Sequence, residues 1–260
     1  MIPKIIHYCW LGNDMPKENK EIIQKWKQIL PDYQFICWNE SNYDFTKNEY
    51  MKEAYNKKVW GFIPDYARLD IIYTYGGIYL DTDVEILKSF DSLLDSKAFF
   101  GFESKESVNL GQGFGAEAGC NIIKEMMNYY DTIHFINTDG SINKTPSPVY
   151  QSEVLKYNGF FMNNTFQNIN GVKLYPAEYF CPLDYETGLL KLTDKTYSIH
   201  HFFGSWLPES YRKKHKMKQY LYKKYGTDIG GFMFKIYNYP SHLKERILHA
   251  YKKHLKAKLR

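Results

Sequence analysis

The chain has 260 residues, 44% of them hydrophobic, and a net charge of +5, a size suited to one large domain or one domain with an appended piece. The charge is unevenly spread: residues 1–210 carry −8, whereas residues 211–260 hold 15 Lys/Arg against 2 Asp/Glu, which argues against nucleic acid as a partner of the body and for an anionic surface as partner of the basic end. Cys9, Cys37, Cys120 and Cys181 form no CxxC pair, which excludes zinc-knuckle and thioredoxin-type chemistry, and no stretch approaches the ~18 apolar residues of a transmembrane helix.

In chain order, KIIHYCW (residues 4–10) predicts a buried strand, and the lack of a small-residue cleavage site after it argues against a secretion signal. Scattered cysteines then fit a reducing compartment, so the expected location is cytoplasmic. Ile22, Ile23, Trp26, Ile29 and Leu30 have helical spacing over residues 16–30, with Pro16 near the start. YQFICW (33–38) predicts a second strand. Strand, helix, strand opens an α/β unit with a mainly parallel sheet. In GFIPDYARLDIIYTYGG (61–77), Pro64 and Asp65 suit a first helical turn, Asp65, Arg68 and Ile72 share a face, and Gly76 and Gly77 stop the helix.

Directly after comes IYLDTDVEI, with Asp81 and Asp83 at a strand end, where α/β sheets build their ligand crevices. Residues 89–103 predict a short helix and another strand. NLGQGFGAEAG (109–119) is glycine-rich but lacks both phosphate-loop spacings. TPSPVY (145–150) predicts a turn, LYPAEYFCPL (174–183) strand and loop, and TYSIHHFFGSW (196–206) closes the acidic body. From residue 208 the chain is expected to be helical and basic, with Leu243, Ile247, Leu248, Tyr251 and Leu255 on one stripe. The domain expectation is a catalytic body at 1–207 and a basic helical extension at 208–260.

Two adjacent carboxylates repel unless a cation completes them. An Asp-x-Asp at a strand end can hold Mg²⁺ or Mn²⁺ through oxygen ligands, and such an ion clamps a diphosphate and assists its departure. A haloacid-dehalogenase-type phosphatase also uses Asp-x-Asp, but it continues with Thr or Val where this chain has Glu85. A non-catalytic anion-binding module acting through the basic end is the other alternative.

The blocks IPKIIHYCWLG, Asp65-x-x-Arg68, GGIYLDTD and HHFFGSW, in that order, closely resemble DXD-containing glycosyltransferases of the Och1 and capsular-polysaccharide type (glycosyltransferase family 32), related to the catalytic domains of clostridial glucosylating toxins. The resemblance implies a GT-A fold and metal-dependent, retaining transfer of a hexose from a nucleotide-sugar, with UDP favoured, to a glycan acceptor that a lipid could carry, in capsular or surface polysaccharide synthesis. It implies that Trp10 lies beside the nucleotide base, that Asp65 and Arg68 contact donor ribose, sugar and phosphate, and that Asp81 touches the donor. Asp83 and His201 would bind the metal, and Ser205 and Trp206 would close over the diphosphate. His200 and His201 cannot both point inward on a strand; the spacing to Gly204 and Trp206 in the family pattern selects His201. Imidazole favours Mn²⁺ over Mg²⁺. Gln112 is the candidate on the donor-sugar side. The basic end, with its apolar stripe, is expected to contact the inner face of the plasma membrane peripherally.

Overall fold

A computed structural model describes residues 1–205 and 207–238. Trp206 and the stripe from Leu243 to Leu255 lie outside the described residues. The chain parts into two compact units, Met1–Leu183 with Lys191–Trp206, and Asp184–Leu190 with Leu207–Arg260.

The first unit runs β1 (Ile5–Cys9), α1 (Lys17–Ile29), β2 (Gln34–Trp38), α2 (Glu49–Asn56), α3 (Ile63–Tyr75), β3 (Gly77–Tyr79), β4 (Val84–Ile86), β5 (Ala98–Gly101), β6 (Phe114–Ala116), α4 (Asn121–Tyr130), α5 (Ser147–Tyr157), β7 (Gln167–Ile169), β8 (Val172–Tyr175) and β9 (Ser198–His200). Seven strands form one sheet in the order β2-β1-β3-β6-β5-β8-β7. β2, β1, β3, β5 and β8 share one direction, while β6 and β7 oppose it. The fold is therefore α/β with a mixed, mainly parallel sheet. β4 and β9 form a separate antiparallel ribbon.

Side chains alternate across each strand, and the core divides accordingly. Tyr79, Ala98, Phe100 and Phe114 pack with Ile63, Leu69, Ile123 and Met126 of α3 and α4. Ile78, Leu80 and Phe99 pack on the other face with Ile22, Ile23 and Trp26 of α1. Trp26 also donates from Nε1 to the Val84 carbonyl, 2.7 Å away, so α1 fixes the ribbon as well as covering the sheet. α3 ends at Gly76, whose φ of 64° is open to glycine and strained for other residues.

Three helices add to the expected elements, and one of them, α4, has plain helical spacing in Ile122, Ile123, Met126, Met127 and Tyr130. α2 opens at its cap, the Asn48 side chain accepting from Met51 N–H at 3.2 Å, and buries Tyr50, Met51 and Ala54 on one face. α4 follows the glycine-rich segment directly. The TPSPVY stretch, expected as a turn, is the entry to α5: Pro148 stands in its first turn, where the missing N–H has no helical partner to lose.

His7, the polar interruption of the first strand, is fully buried. Its Nε2 lies 2.9 Å from the Gly76 carbonyl, and Nδ1 accepts from Trp38 Nε1 at 3.0 Å. Together these assign a neutral imidazole with the proton on Nε2. Burial pulls its pKa down to about 4, against the Gly76 hydrogen bond. The unfolded chain therefore binds a proton that the folded chain refuses between about pH 6.5 and 4. Stability is expected to fall through that window by roughly 3 kcal/mol. Unfolding curves of wild type and His7→Gln across pH 7 to 4 check this: the variant should be less stable at pH 7 and show a flatter dependence.

The described part of the second unit is dominated by α6 (Glu209–Tyr237), broken at Gly226 with φ 77°. A Cβ on Gly230 would stand 2.5 Å from the Leu221 carbonyl. Nine residues apart on a straight helix would be about 13 Å apart, so the two halves fold back on each other. No helix among the described residues is long and apolar enough to cross a membrane.

Candidate active site

β1 and β3 are parallel neighbours, so the residues after them emerge at the same carboxyl edge. Trp10 emerges from β1, half-buried, with its Nε1 donating to the Asn13 carbonyl at 2.6 Å. Asp81, Thr82 and Asp83 emerge from β3 and turn into β4, closed by a Val84 N–H to Asp81 carbonyl bond of 3.1 Å. Two elements hold this turn. Buried Asn19 of α1 donates to the Thr82 carbonyl and hydroxyl at 3.3 and 3.1 Å. The Asp81 N–H donates to the Gly111 carbonyl at 2.9 Å.

That last contact explains the glycine-rich segment. A Cβ on Gly111 would lie 2.1 Å from Asp81 Oδ2, so the position is glycine because a carboxylate occupies its side-chain space. Gly111→Ala is expected to displace Asp81 and lower any reaction at this site about a hundredfold, the cost of an ångström-scale misplacement. Steady-state rates beside a thermal melt separate that result from simple unfolding.

Arg68 on α3 lies behind the turn, 4% exposed. Its Nη2 stands 3.2 Å from Asp65 Oδ1 and 3.4 Å from Asp81 Oδ1, and Nε donates to the Pro64 carbonyl at 3.0 Å. Burial opposes the guanidinium charge, but Asp81 and Asp65 outweigh it and keep Arg68 protonated. Asp65 is pushed up to about 6 by burial, against the pull of Arg68 and a Ser147 hydrogen bond. Asp65 and Arg68, expected to contact a donor, are thus nearly sealed and engaged with each other. Arg68 reaches the crevice through Asp81.

Asp83 is gripped on both oxygens. Oδ1 is 3.3 Å from His200 Nε2, and Oδ2 accepts from Phe203 N–H at 2.8 Å. Burial raises its pKa, but the charge and hydrogen bond of His200 and the Phe203 N–H win, and the net shift is downward. Asp81 is shifted upward, by burial first and then by Asp83, with Arg68 and His200 opposing. His200 is shifted upward because Asp83 and Asp81 overcome its burial.

The histidine beside the aspartates is therefore His200 rather than His201, whose Nε2 instead meets Glu85 Oε2 at 2.9 Å. The two rings do point to opposite sides, as strand alternation requires. Asp83, however, sits in the turn before β4, outside the alternation, and its carboxylate swings to the buried side where His200 lies. His200 is buried and His201 half-buried, a difference that the sequence alone does not carry. Gln112 is also corrected. It is 0% exposed, its Nε2 donates to the Phe102 carbonyl at 3.0 Å, and so it does not reach a donor sugar. Ser205 is exposed on the segment after β9.

One ligand atom each from Asp81, Asp83 and His200 lies within 4.8 Å of the others. Two carboxylates and an imidazole match the donor preference of Mn²⁺, and less closely of Mg²⁺. His200 Nε2 faces Asp83, while Nδ1 of the same ring is buried without a hydrogen-bond partner. The residues present fit a divalent cation.

Residues 16–100 match the glycosyltransferase sugar-binding region containing DXD motif. The chain is 38% identical over 103 residues to a mannosyl phosphorylinositol ceramide synthase of Saccharomyces cerevisiae, covering 38% of this chain and 27% of that protein. A second synthase of that name from the same yeast is 30% identical over 69% of this chain and 49% of its own length. An uncharacterized glycosyltransferase of Acanthamoeba polyphaga mimivirus is 26% identical over 80% of this chain and 85% of its own. The chain spans less than half the length of the first four curated relatives. Among solved structures, the PaToxG glycosyltransferase superimposes with TM-score 0.47 at 18% identity, over 60% of this chain and 70% of that one. A glycosyltransferase involved in glycosylation of the major capsid of PBCV-1 gives 0.44 at 15%, over 82% and 98%.

Proposed function

We propose that this chain, whose residues 16–100 match the glycosyltransferase sugar-binding region containing DXD motif, is a metal-dependent glycosyltransferase of GT-A type, moving a hexose from a nucleotide-sugar to a glycan or glycolipid acceptor with retention. The observation that carries this is the convergence of Asp81, Asp83 and His200 at the carboxyl edge of β3. A cation held there neutralises charge on a departing diphosphate. The chain's own residues do the rest. Arg68 fixes Asp81, while Asn19 and Gly111 fix the turn. His200 and the Phe203 N–H orient Asp83, and Trp10 offers an aromatic face at the crevice for a base. Relatives named for mannose transfer to inositol phosphoceramide support mannose as the hexose and a lipid-linked acceptor. They do so ahead of a UDP-hexose donor and a capsular product.

A lipid-linked acceptor accords with the basic C-terminal region, which complements an anionic bilayer at the cytoplasmic face. Deleting residues 240–260 is expected to lower cosedimentation with phosphatidylserine vesicles; unchanged binding would remove the membrane contact. The main test is nucleotide release from UDP- and GDP-hexoses with Mn²⁺ and with EDTA. Metal-dependent cleavage of one donor is the expected result. Silence across the panel, with no thermal stabilisation by UDP or GDP plus Mn²⁺, would overturn the reading.

A further inference from the structure

We propose that α6 lies on an anionic bilayer surface through a lysine face of its first arm, an inference that rests on the membrane contact proposed above and extends it to residues before 239. α6 carries eight Lys/Arg against two Asp/Glu. The break at Gly226 divides it into residues 209–225 and 227–237, and seven of the eight cations stand before the break. Their placement is uneven. Lys213, Lys216, Tyr220, Lys223 and Lys224 fall at i, i+3, i+7, i+10 and i+11, which is one face of a helix, and all five are exposed.

The charge on this face is mostly uncompensated. Lys213 Nζ pairs with Glu209 Oε1 at 2.6 Å. Among the described residues, Lys216, Lys223 and Lys224 have no ion-pair partner. Like charges on one helix face repel, and an exposed face gains nothing from the core in return. An anionic partner removes the repulsion.

The side chains between the lysines decide which anion. Tyr220, in the middle of the face, is 54% exposed. Lys224 Nζ stands 3.1 Å from the Tyr220 hydroxyl, and 5.5 and 5.3 Å from the ring centroids of Tyr220 and Tyr225. Just past the break, Ile229 and Phe232 are 54% and 42% exposed, three residues apart and so on one side of the second arm. A soluble polyanion would meet the lysines and leave these rings and the isoleucine in water. A bilayer surface accommodates both: lipid phosphates meet the ammonium groups, and the boundary with the acyl chains takes the Tyr, Ile and Phe side chains. No described helix is long and apolar enough to cross a membrane, so the contact is one of lying on the surface.

The test uses the full chain and vesicles of phosphatidylcholine with and without phosphatidylserine. Wild type should cosediment with the mixed vesicles, at most weakly with phosphatidylcholine alone, and less as salt screens the lysines. Each lysine near an anionic surface strengthens binding about fivefold. Lys216→Gln, Lys223→Gln and Lys224→Gln together should therefore weaken it about a hundredfold. Ile229→Ser with Phe232→Ser should weaken it at least about tenfold and leave its salt dependence unchanged. Both variants should keep the wild-type melting temperature, since the substituted side chains are exposed. Full binding by the triple variant, beside a loss in the 240–260 deletion, would overturn the role of α6 and leave the membrane contact to the end of the chain. Retention on heparin without vesicle binding would overturn it in favour of a soluble polyanion. Donor cleavage is measured without lipid, so a wild type that binds the mixed vesicles through these lysines yet cleaves no donor would sink the transferase reading and uphold this one.

Discussion

Asp83→Asn is expected to lower metal-dependent donor cleavage by at least about a thousandfold while leaving the fold intact. The magnitude follows from the cation's share: roughly 4 kcal/mol of charge stabilisation at a departing diphosphate corresponds to three powers of ten in rate. The fold should survive because an amide oxygen still accepts one of the two bonds now made by His200 Nε2 and the Phe203 N–H. Circular dichroism and the melting temperature should stay near wild type. The stabilisation that Mn²⁺ with UDP or GDP gives the wild type should vanish. A well-folded Asp83→Asn with near-native cleavage would remove Asp83 from the metal site.

Arg68→Met should act mainly on stability. The guanidinium is the only cation within ion-pair distance of Asp65 among the described residues, and Asp65 is itself buried. Removing one member of a buried pair leaves the other charge uncompensated, which typically costs about 3–5 kcal/mol. In a chain of this size that lowers the melting temperature by roughly 10 °C. The double variant Arg68→Met with Asp65→Asn should regain part of that loss, because the orphaned charge is gone. Equal melting temperatures for single and double variants would show that the loss comes from packing. Activity should fall in both, since Asp81 loses the cation that holds its Oδ1 at 3.4 Å.

Several parts of this molecule could be read in advance because one period dominates them. α1 shows its face in Ile22, Ile23 and Trp26, β1 and β2 are short apolar runs, and Asp81 and Asp83 end a strand. α5 was hidden because polar residues share its inward face with Tyr150, Val154 and Leu155: Ser147, Gln151 and Ser152 are all buried, with Gln151 and Ser152 accepting from the Leu110 and Val108 N–H groups. Their role depends on a loop 41 to 44 residues away, which no local pattern reveals. The choice between His200 and His201 failed for a related reason. It turns on a side-chain direction set in the Asp83 turn, not in the histidines' own strand.

The β4–β9 ribbon has a kinetic consequence. Asp83 and Phe203 are 120 positions apart in the chain, whereas β1, α1 and β2 assemble from near neighbours. Contacts that close long loops form late. During refolding from denaturant, the far-ultraviolet signal of the sheet and helices should recover before the metal-dependent signal does. During synthesis, the ribosome must deliver the last strand of the body before any cation finds its full set of ligands. An unfinished chain would then be folded in large part yet inert towards activated sugar.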